Sequence, residues 1–231
     1  MIRPLAALAV ILSFFPASPA RPGPPAQSPK GKLFEPTDLG LLEAPDREQW
    51  QKPDQIMDAL AIADGSVVAD LGAGSGWFTI RLARRVGPLG RVYAEDIQPQ
   101  MVDVINSRVQ RENLSNVTTV LGTAEDPRLP GGLDAVLIVD TFHEMQYDAS
   151  GARRDPVGLL TLVARSLKPE GRLGVVDFMP GGGGPGPAPD QRAKAEDVIR
   201  TAAAAGLRLV RREDFPPFVY LLVLAKPTVG P

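Results

Sequence analysis

Apolar runs of strand length alternate with amphipathic helical patterns along this chain from residue 53 onward. Short runs of Val, Ile, Leu and Ala that end at turn residues are typical of strands, and apolar side chains spaced one helical turn apart indicate helices. The run 133–139 is apolar throughout, which is typical of a central parallel strand buried on both faces. The pattern predicts strands over 67–70, 91–96, 116–122, 133–139, 172–178, 206–215 and 219–227, and helices over 53–62, 77–86, 98–113, 156–168 and 190–205.

The first predicted strand leads into a glycine-rich turn. Gly72, Gly74 and Gly76 occupy alternate positions after Asp70, and a helical pattern begins at Trp77. Glycine lets the backbone bend sharply and lets a ligand approach, and a helix start offers free N–H groups. This context favours a nucleotide-like ligand over the strand's carboxyl end. The alternative is a turn that only reverses the chain.

The stretch VVADLGAGSGWFTIRLA (67–83) resembles motif I of the class I S-adenosylmethionine-dependent methyltransferases. PDREQWQKPDQIMDAL (45–60) is similar to the lead-in of a bacterial group in that family, and LKPEGRLGVVDF (167–178) is similar to its entry into the fifth strand. The resemblance covers residues 45–227. It implies S-adenosylmethionine as the cofactor and an α/β, Rossmann-like fold. That fold has a seven-stranded, mostly parallel sheet in the order 3-2-1-4-5-7-6, with helices on both faces.

The resemblance also implies a set of cofactor-binding residues. A carboxylate at Asp70 can hold the cofactor's ammonium group but would repel the phosphates of a dinucleotide. Asp96 ends the second strand, where a carboxylate can accept two hydrogen bonds from a ribose diol, and the alternative is a solvated acid at a strand end. In the loop after the third strand, Glu125 or Asp126 would bind the adenine amino group. The implied set is Asp70, Gly72, Gly74, Gly76, Asp96, Ile97, Ala124, Glu125 and Asp140.

His143 is the candidate catalytic residue on the methyl-acceptor side. It follows the fourth strand by a few positions and can titrate near neutral pH, so it could remove a proton from an acceptor. Glu144 and Tyr147 are weaker candidates for the same role. The alternative is that His143 caps or packs the next helix, or only shapes the pocket. Asp140 could act through its backbone carbonyl or through its side chain.

The amino-acid composition and the absence of certain motifs exclude several classes of function. Lys plus Arg number 25 and Asp plus Glu 27, so overall charge does not favour nucleic acid, and a small-molecule or protein acceptor is expected. The chain has no cysteine and one histidine, which excludes disulfides, thiolate catalysis and a multi-histidine metal site, and no metal is expected. The glycine spacing and the absence of Tyr-x-x-x-Lys argue against a nucleotide-dependent reductase. No G-x-x-x-x-G-K-[ST] loop is present. A monomer or a dimer is expected.

The two ends of the chain differ from its centre. Residues 1–20 combine Arg3, an apolar run and small residues, which predicts a cleaved signal peptide rather than a stable membrane span. The alternatives are a mistaken start codon and a disordered apolar tail. A proline-rich linker and an irregular lead-in follow over 21–44, before a methyltransferase domain over 45–227. Export to the periplasm or beyond is expected, yet the cofactor is made in the cytoplasm. Cytoplasmic residence and an exported, non-catalytic binding module are therefore the alternatives.

Two further segments have open interpretations. Trp50 lies in the lead-in, where it could form part of a lid over the cofactor or pack on the sheet. Residues 180–189 contain four consecutive glycines and several prolines, a composition that predicts a mobile connection outside the core, and a substrate lid after the fifth strand is the alternative.

Overall fold

The computed structural model describes residues 33–148, 150–181 and 183–227, and its centre is one seven-stranded sheet. The strand order is β3-β2-β1-β4-β5-β7-β6, which confirms the predicted topology. β5 and β6 run antiparallel to β7, and the remaining pairs are parallel. The strands are β1 (Val67–Leu71), β2 (Arg91–Asp96), β3 (Val117–Leu121), β4 (Leu133–Val139), β5 (Leu167–Phe178), β6 (Arg208–Phe215) and β7 (Val219–Ala225).

Helices cover both faces of the sheet, as predicted. Successive strand side chains point to opposite faces, so Val68 and Ala69 of β1 join two separate apolar clusters. The first cluster contains side chains of α2 and α3, and the second contains side chains of α6 and α7. The helices are α1 (Arg47–Gln51), α2 (Pro53–Ala59), α3 (Trp77–Val86), α4 (Pro99–Arg111), α5 (Phe142–Met145), α6 (Val157–Ser166) and α7 (Ala195–Ala204).

The structure corrects two predicted boundaries. The helix predicted over 156–168 ends at Ser166, and β5 begins directly at Leu167 because Leu167 pairs with Leu133 of β4 before a register shift. The helix predicted over 190–205 begins only at Ala195. Residues 190–194, which were predicted to be its first turns, include Arg192, whose guanidinium binds backbone carbonyls of the preceding segment. The pattern of a single sequence does not reveal such contacts.

Most described residues of 180–189 are exposed or half-buried, in line with a connection outside the core, but hydrogen bonds anchor the segment to Arg192. Arg192 is buried, and its guanidinium donates hydrogen bonds to the backbone carbonyls of residues 179, 183, 185 and 187. Ala188 is buried as well. Gly186 lies against the ring of Phe178, where an added Cβ would come within 2.6 Å of ring atoms. This segment is therefore tied down on the carboxyl end of β5.

The lead-in is more regular than its sequence predicted. Pro36–Glu43 form a 3-10 helix, and α1 follows after a short turn. Residues 1–20, where the signal peptide was predicted, and most of the linker lie outside the described residues. Among the described residues, no helix has the length and apolar character needed to cross a membrane.

Candidate functional site

The glycine turn lies at the carboxyl ends of β1 and β2. Gly72, Gly74 and Gly76 have φ angles of 73°, 55° and 74°, in the left-handed region where other residues are strained. An added Cβ on Gly72 would come within 2.4 Å of the Thr141 side chain, which follows β4. Gly76 is the N-cap residue of α3. The turn therefore depends on glycine for its conformation and for its close approach to the end of β4.

Asp70 lies beneath the turn rather than at its surface. Its carboxylate is buried and accepts a hydrogen bond of 2.6 Å from the hydroxyl of Thr79 in α3. Burial raises its pKa to about 6, and Thr79 and Arg47 oppose that rise. This hydrogen bond therefore links Asp70 at the end of β1 to α3.

Asp96, the predicted ribose-binding carboxylate at the end of β2, is hydrogen-bonded to the glycine turn. One carboxylate oxygen accepts from the backbone N–H of Gly74 at 2.9 Å, and the other accepts from the N–H of Gln98 at 2.9 Å. A carboxylate can accept about four hydrogen bonds, so further acceptor capacity is left on both oxygens. Ile97 follows it and is half-buried at the edge of the turn.

Glu95 is a site residue that sequence reasoning missed. It is 2% exposed, and its Oε2 accepts from the N–H of Gly72 at 3.2 Å. Its other oxygen has no hydrogen-bond partner among the described residues. Burial and the neighbouring acids Asp96 and Asp70 raise its pKa to about 8, so the neutral acid predominates at pH 7. A charged residue at the end of an apolar strand was the available signal.

The loop after β3 does not place the predicted acids in the buried site. Glu125 has a side chain that is 79% exposed and pairs with Arg154 at 3.3 Å. The carbonyl of Ala124 accepts from the same arginine at 3.1 Å. Asp126 accepts from the N–H of Arg128 at 2.8 Å within its own turn. Ala124 is therefore positioned by Arg154, and the carboxylates of this loop face solvent.

Asp140 follows β4 directly, and its side chain is held by the lead-in. The residue has a φ of 55°, and its carboxylate accepts from Arg47 at 2.9 Å and from Gln51 at 3.2 Å. Burial raises its pKa and Arg47 lowers it. The guanidinium of Arg47 also lies 4.4 Å from the ring centroid of Trp77, at the start of α3. The sequence did not indicate this link between the lead-in and β4.

His143 and Asp177 form a buried pair across the ends of β4 and β5. Nδ1 of His143 lies 3.0 Å from Oδ1 of Asp177, whose other oxygen accepts from the His143 backbone N–H at 2.9 Å. Asp177 is fully buried. Burial of His143 opposes its charge, but Asp177 outweighs that effect and, with Glu144 and Asp140, raises the pKa of His143 to about 9. Among the described residues, none forms a hydrogen bond with Nε2 of His143. The pair therefore fixes the orientation of the imidazole ring.

Aromatic rings flank this pair. Phe178 lies edge-on to His143, with ring centroids 6.3 Å apart, and Trp50 lies 6.1 Å from Phe178. Trp50 also packs edge-to-face against Phe218 at 5.9 Å. The structure therefore favours the packing role of Trp50, although it packs beside the candidate catalytic residue. Tyr147 forms an antiparallel β-bridge with Arg153.

The comparisons with known proteins agree with this geometry. The sequence profile of a family described as a methyltransferase domain matches residues 68–171. An uncharacterized methyltransferase of Mycobacterium tuberculosis is 38% identical over 125 residues, which are 54% of this chain and 44% of that protein. The crystal structure of an S-adenosylmethionine-dependent methyltransferase from Aquifex aeolicus superimposes with a TM-score of 0.76 at 25% identity. That match covers 83% of this chain and 98% of the other. Residues 68–171 therefore match a methyltransferase domain, and the fold around them is that of the class I S-adenosylmethionine-dependent methyltransferases.

This methyltransferase domain is also similar to the nocamycin O-methyltransferase of Saccharothrix syringae, with 29% identity over 150 residues, 64% of this chain and 48% of that protein. The chain spans about half the length of the curated relatives it matches.

The residues around the glycine turn fit S-adenosylmethionine. Burial raises the pKa of five carboxyl groups around the glycine turn and the end of β4, and several of them act on one another electrostatically. Such surroundings favour a ligand with positive charge, and the cofactor has a sulfonium and an ammonium group. No group of three or more His, Cys, Asp or Glu in the described ranges is arranged to hold a metal ion. The five groups are Asp70, Glu95, Asp96, Asp140 and Glu144.

Proposed function

We propose that this protein transfers the methyl group of S-adenosylmethionine to a small-molecule or protein acceptor. The observation that carries the proposal is the left-handed glycine turn, with Asp96 bonded to Gly74 at the carboxyl ends of β1 and β2. When bound, the cofactor supplies an electrophilic methyl group on a positively charged sulfur. The protein's part is to bind, to align the two reactants and to exclude water.

Asp96 is the proposed ribose ligand. Its two hydrogen bonds to backbone N–H groups fix the carboxylate and leave lone pairs for a vicinal diol. Ile97 would pack on the adenine, and Ala124 would line the same end through its backbone. Glu125 is a weaker candidate for the adenine amino group than its position in the sequence implied, because its side chain is largely exposed.

His143 is the proposed base on the acceptor side, with Asp177 as its positioning residue. The carboxylate holds Nδ1, so that the lone pair of Nε2 on a neutral ring can accept a proton from a hydroxyl acceptor. At neutral pH most of the ring is protonated, because its pKa is about 9. The rate should therefore rise with pH as the neutral ring becomes available.

The acceptor class is proposed from two observations. The near-balanced overall charge gives no electrostatic footprint for nucleic acid. A curated relative is named for O-methylation of nocamycin, which is a precedent for oxygen as the acceptor atom in a small molecule.

Export remains a proposal based on residues 1–20. The non-catalytic module is not favoured, because the matched domain, the curated relatives and the similar solved structure are all described as methyltransferases.

The experiment is a calorimetric titration of the full chain with S-adenosylmethionine and with S-adenosylhomocysteine. The proposal expects both to bind, and it expects S-adenosylhomocysteine to form when hydroxylated small molecules or peptides are added. Circular dichroism in the same buffer checks that the sample is folded. A folded protein that binds neither compound would overturn the proposal.

A further inference from the structure

Arg47 is a buried cation beside an acidic site. Its side chain is 9% exposed, although arginine is among the residues least often buried. It lies on α1, outside the segment that the family profile matches, and it reaches Asp140 from 93 positions away in the sequence. Because burying a guanidinium is costly, its position calls for a physical reason.

The guanidinium is only partly satisfied by the protein. Nε donates to Gln51 at 3.0 Å, Nη1 donates to the carbonyl of Leu42, and Nη2 donates to Asp140 at 2.9 Å. A guanidinium has five N–H groups, so two of them have no partner among the described residues. One of them is on Nη1 and the other on Nη2, and a guanidinium can use two N–H groups to bind one carboxylate.

Arg47 is also close to the glycine turn. Leu42, whose carbonyl it binds, lies 3.4 Å from the position of a Cβ on Gly74. The positive charge of Arg47 lowers the pKa of Asp70 beneath the turn. Two other buried cations lie at these strand ends, but His143 is paired with Asp177 and Arg192 donates to backbone carbonyls.

The amino-acid end of S-adenosylmethionine has a carboxylate as well as an ammonium group. A carboxylate that enters a site lined by acids needs a cation to offset repulsion. We propose that Arg47 binds the cofactor's carboxylate, so that residues 42–51 recognise the amino-acid end of the cofactor. This inference rests on the proposed function.

The test uses an analogue that differs from the cofactor by one group. Decarboxylated S-adenosylmethionine keeps the sulfonium and the amine and has one more net positive charge. A site with acids alone would therefore prefer the analogue, whereas a carboxylate-binding arginine reverses the preference. We expect the wild-type chain to bind S-adenosylmethionine more tightly than the analogue, by roughly 10-fold to 100-fold, the usual effect of a charged hydrogen bond.

Arg47→Gln should abolish this preference by weakening the binding of S-adenosylmethionine while the analogue binds at least as tightly as before. Arg81→Gln is the matched control. Arg81 stacks on the same Trp77 ring, at 3.5 Å, but donates to the Trp77 carbonyl and to Glu48 instead of Asp140. Arg81→Gln should keep the wild-type ratio of affinities.

Loss of Arg47 leaves Asp140 buried without its cation, which can destabilise the fold. The double variant Arg47→Gln/Asp140→Asn removes both charges, and both ligands keep the amine, so their affinity ratio still reports on the carboxylate. Equal weakening of both ligands by Arg47→Gln, or a wild-type preference for the analogue, would overturn the assignment to Arg47. Failure of the folded wild type to bind either ligand would instead overturn the proposed function.

Discussion

Replacing Asp177 by Asn tests directly whether a buried carboxylate controls the protonation of His143. The two side chains lie 3.0 Å apart, and Asp177 is fully buried, so solvent screens the interaction weakly. His143 is the single histidine of the sequence, which makes its imidazole signal in an NMR spectrum unambiguous once any affinity tag is removed.

The magnitude follows from the pKa of His143, which rises from 6.5 to about 9. At about 1.4 kcal/mol per pKa unit, the shift corresponds to roughly 3 kcal/mol of stabilisation by the protonated ring. A raised histidine pKa stabilises the fold fully below pH 6.5 and loses that effect as the pH rises through about 9. His143 alone should therefore lower the free energy of unfolding by roughly 3 kcal/mol across that interval.

The assay is an NMR titration of the His143 Cε1–Hε1 signal, combined with urea unfolding at pH 6.5 and pH 9. In Asp177→Asn, burial still disfavours the charged ring while its main partner is gone, so the pKa should fall to near or below the ordinary 6.5. Glu144→Gln is the control, and it should lower the pKa less. In a methyl-transfer assay, the pH at which the rate reaches half its maximum should move down with Asp177→Asn.

Two results would refute this reasoning. A wild-type pKa near 6.5 would show that Asp177 does not hold the ring in its charged form. A pKa that stays near 9 in Asp177→Asn would show that another group is responsible.

The remaining predictions concern the glycine turn and its neighbours. Asp96→Ala should weaken cofactor binding by roughly 1–3 kcal/mol, because it leaves ribose hydroxyls unpaired, and unchanged affinity in calorimetry would contradict the ribose assignment. Gly72→Ala should lower the melting temperature, because it combines a φ of 73° with a Cβ placed 2.4 Å from Thr141, and an unchanged melting temperature would argue against the turn as described. Glu95→Gln should stabilise the protein at pH 8 but not near pH 4.5. The raised pKa of Glu95 costs stability as the pH rises from 4.5 to about 8, and Gln has no such cost. Equal stability of wild type and Glu95→Gln at pH 8 would contradict this pKa.

Features that depend on residues close together in the chain could be predicted from the sequence. The helix Trp77–Val86 begins and ends as predicted, because its glycine turn and its stop at Gly87 are encoded within a few residues. The second strand ends at Asp96, whose bond to Gly74 fits the spacing of a strand, a turn and a helix. The sheet order came with the family resemblance, and the structure confirms it.

Pairings between distant residues were decided only by the tertiary structure. Arg47 meets Asp140 across 93 positions, and His143 meets Asp177 across 34. Each pair joins segments that are brought together by parallel strands or by the packing of the lead-in, so neither leaves a periodic or local signal. The start of α7 was missed for the same reason, since Arg192 binds carbonyls of the preceding segment instead of extending a helix. The sequence by itself determined the glycine turn and the carboxylate at the end of β2, because glycine conformation and a strand-end residue are local properties. The charge states and partners of the buried groups depend on burial and long-range contact, which exist only in the folded chain.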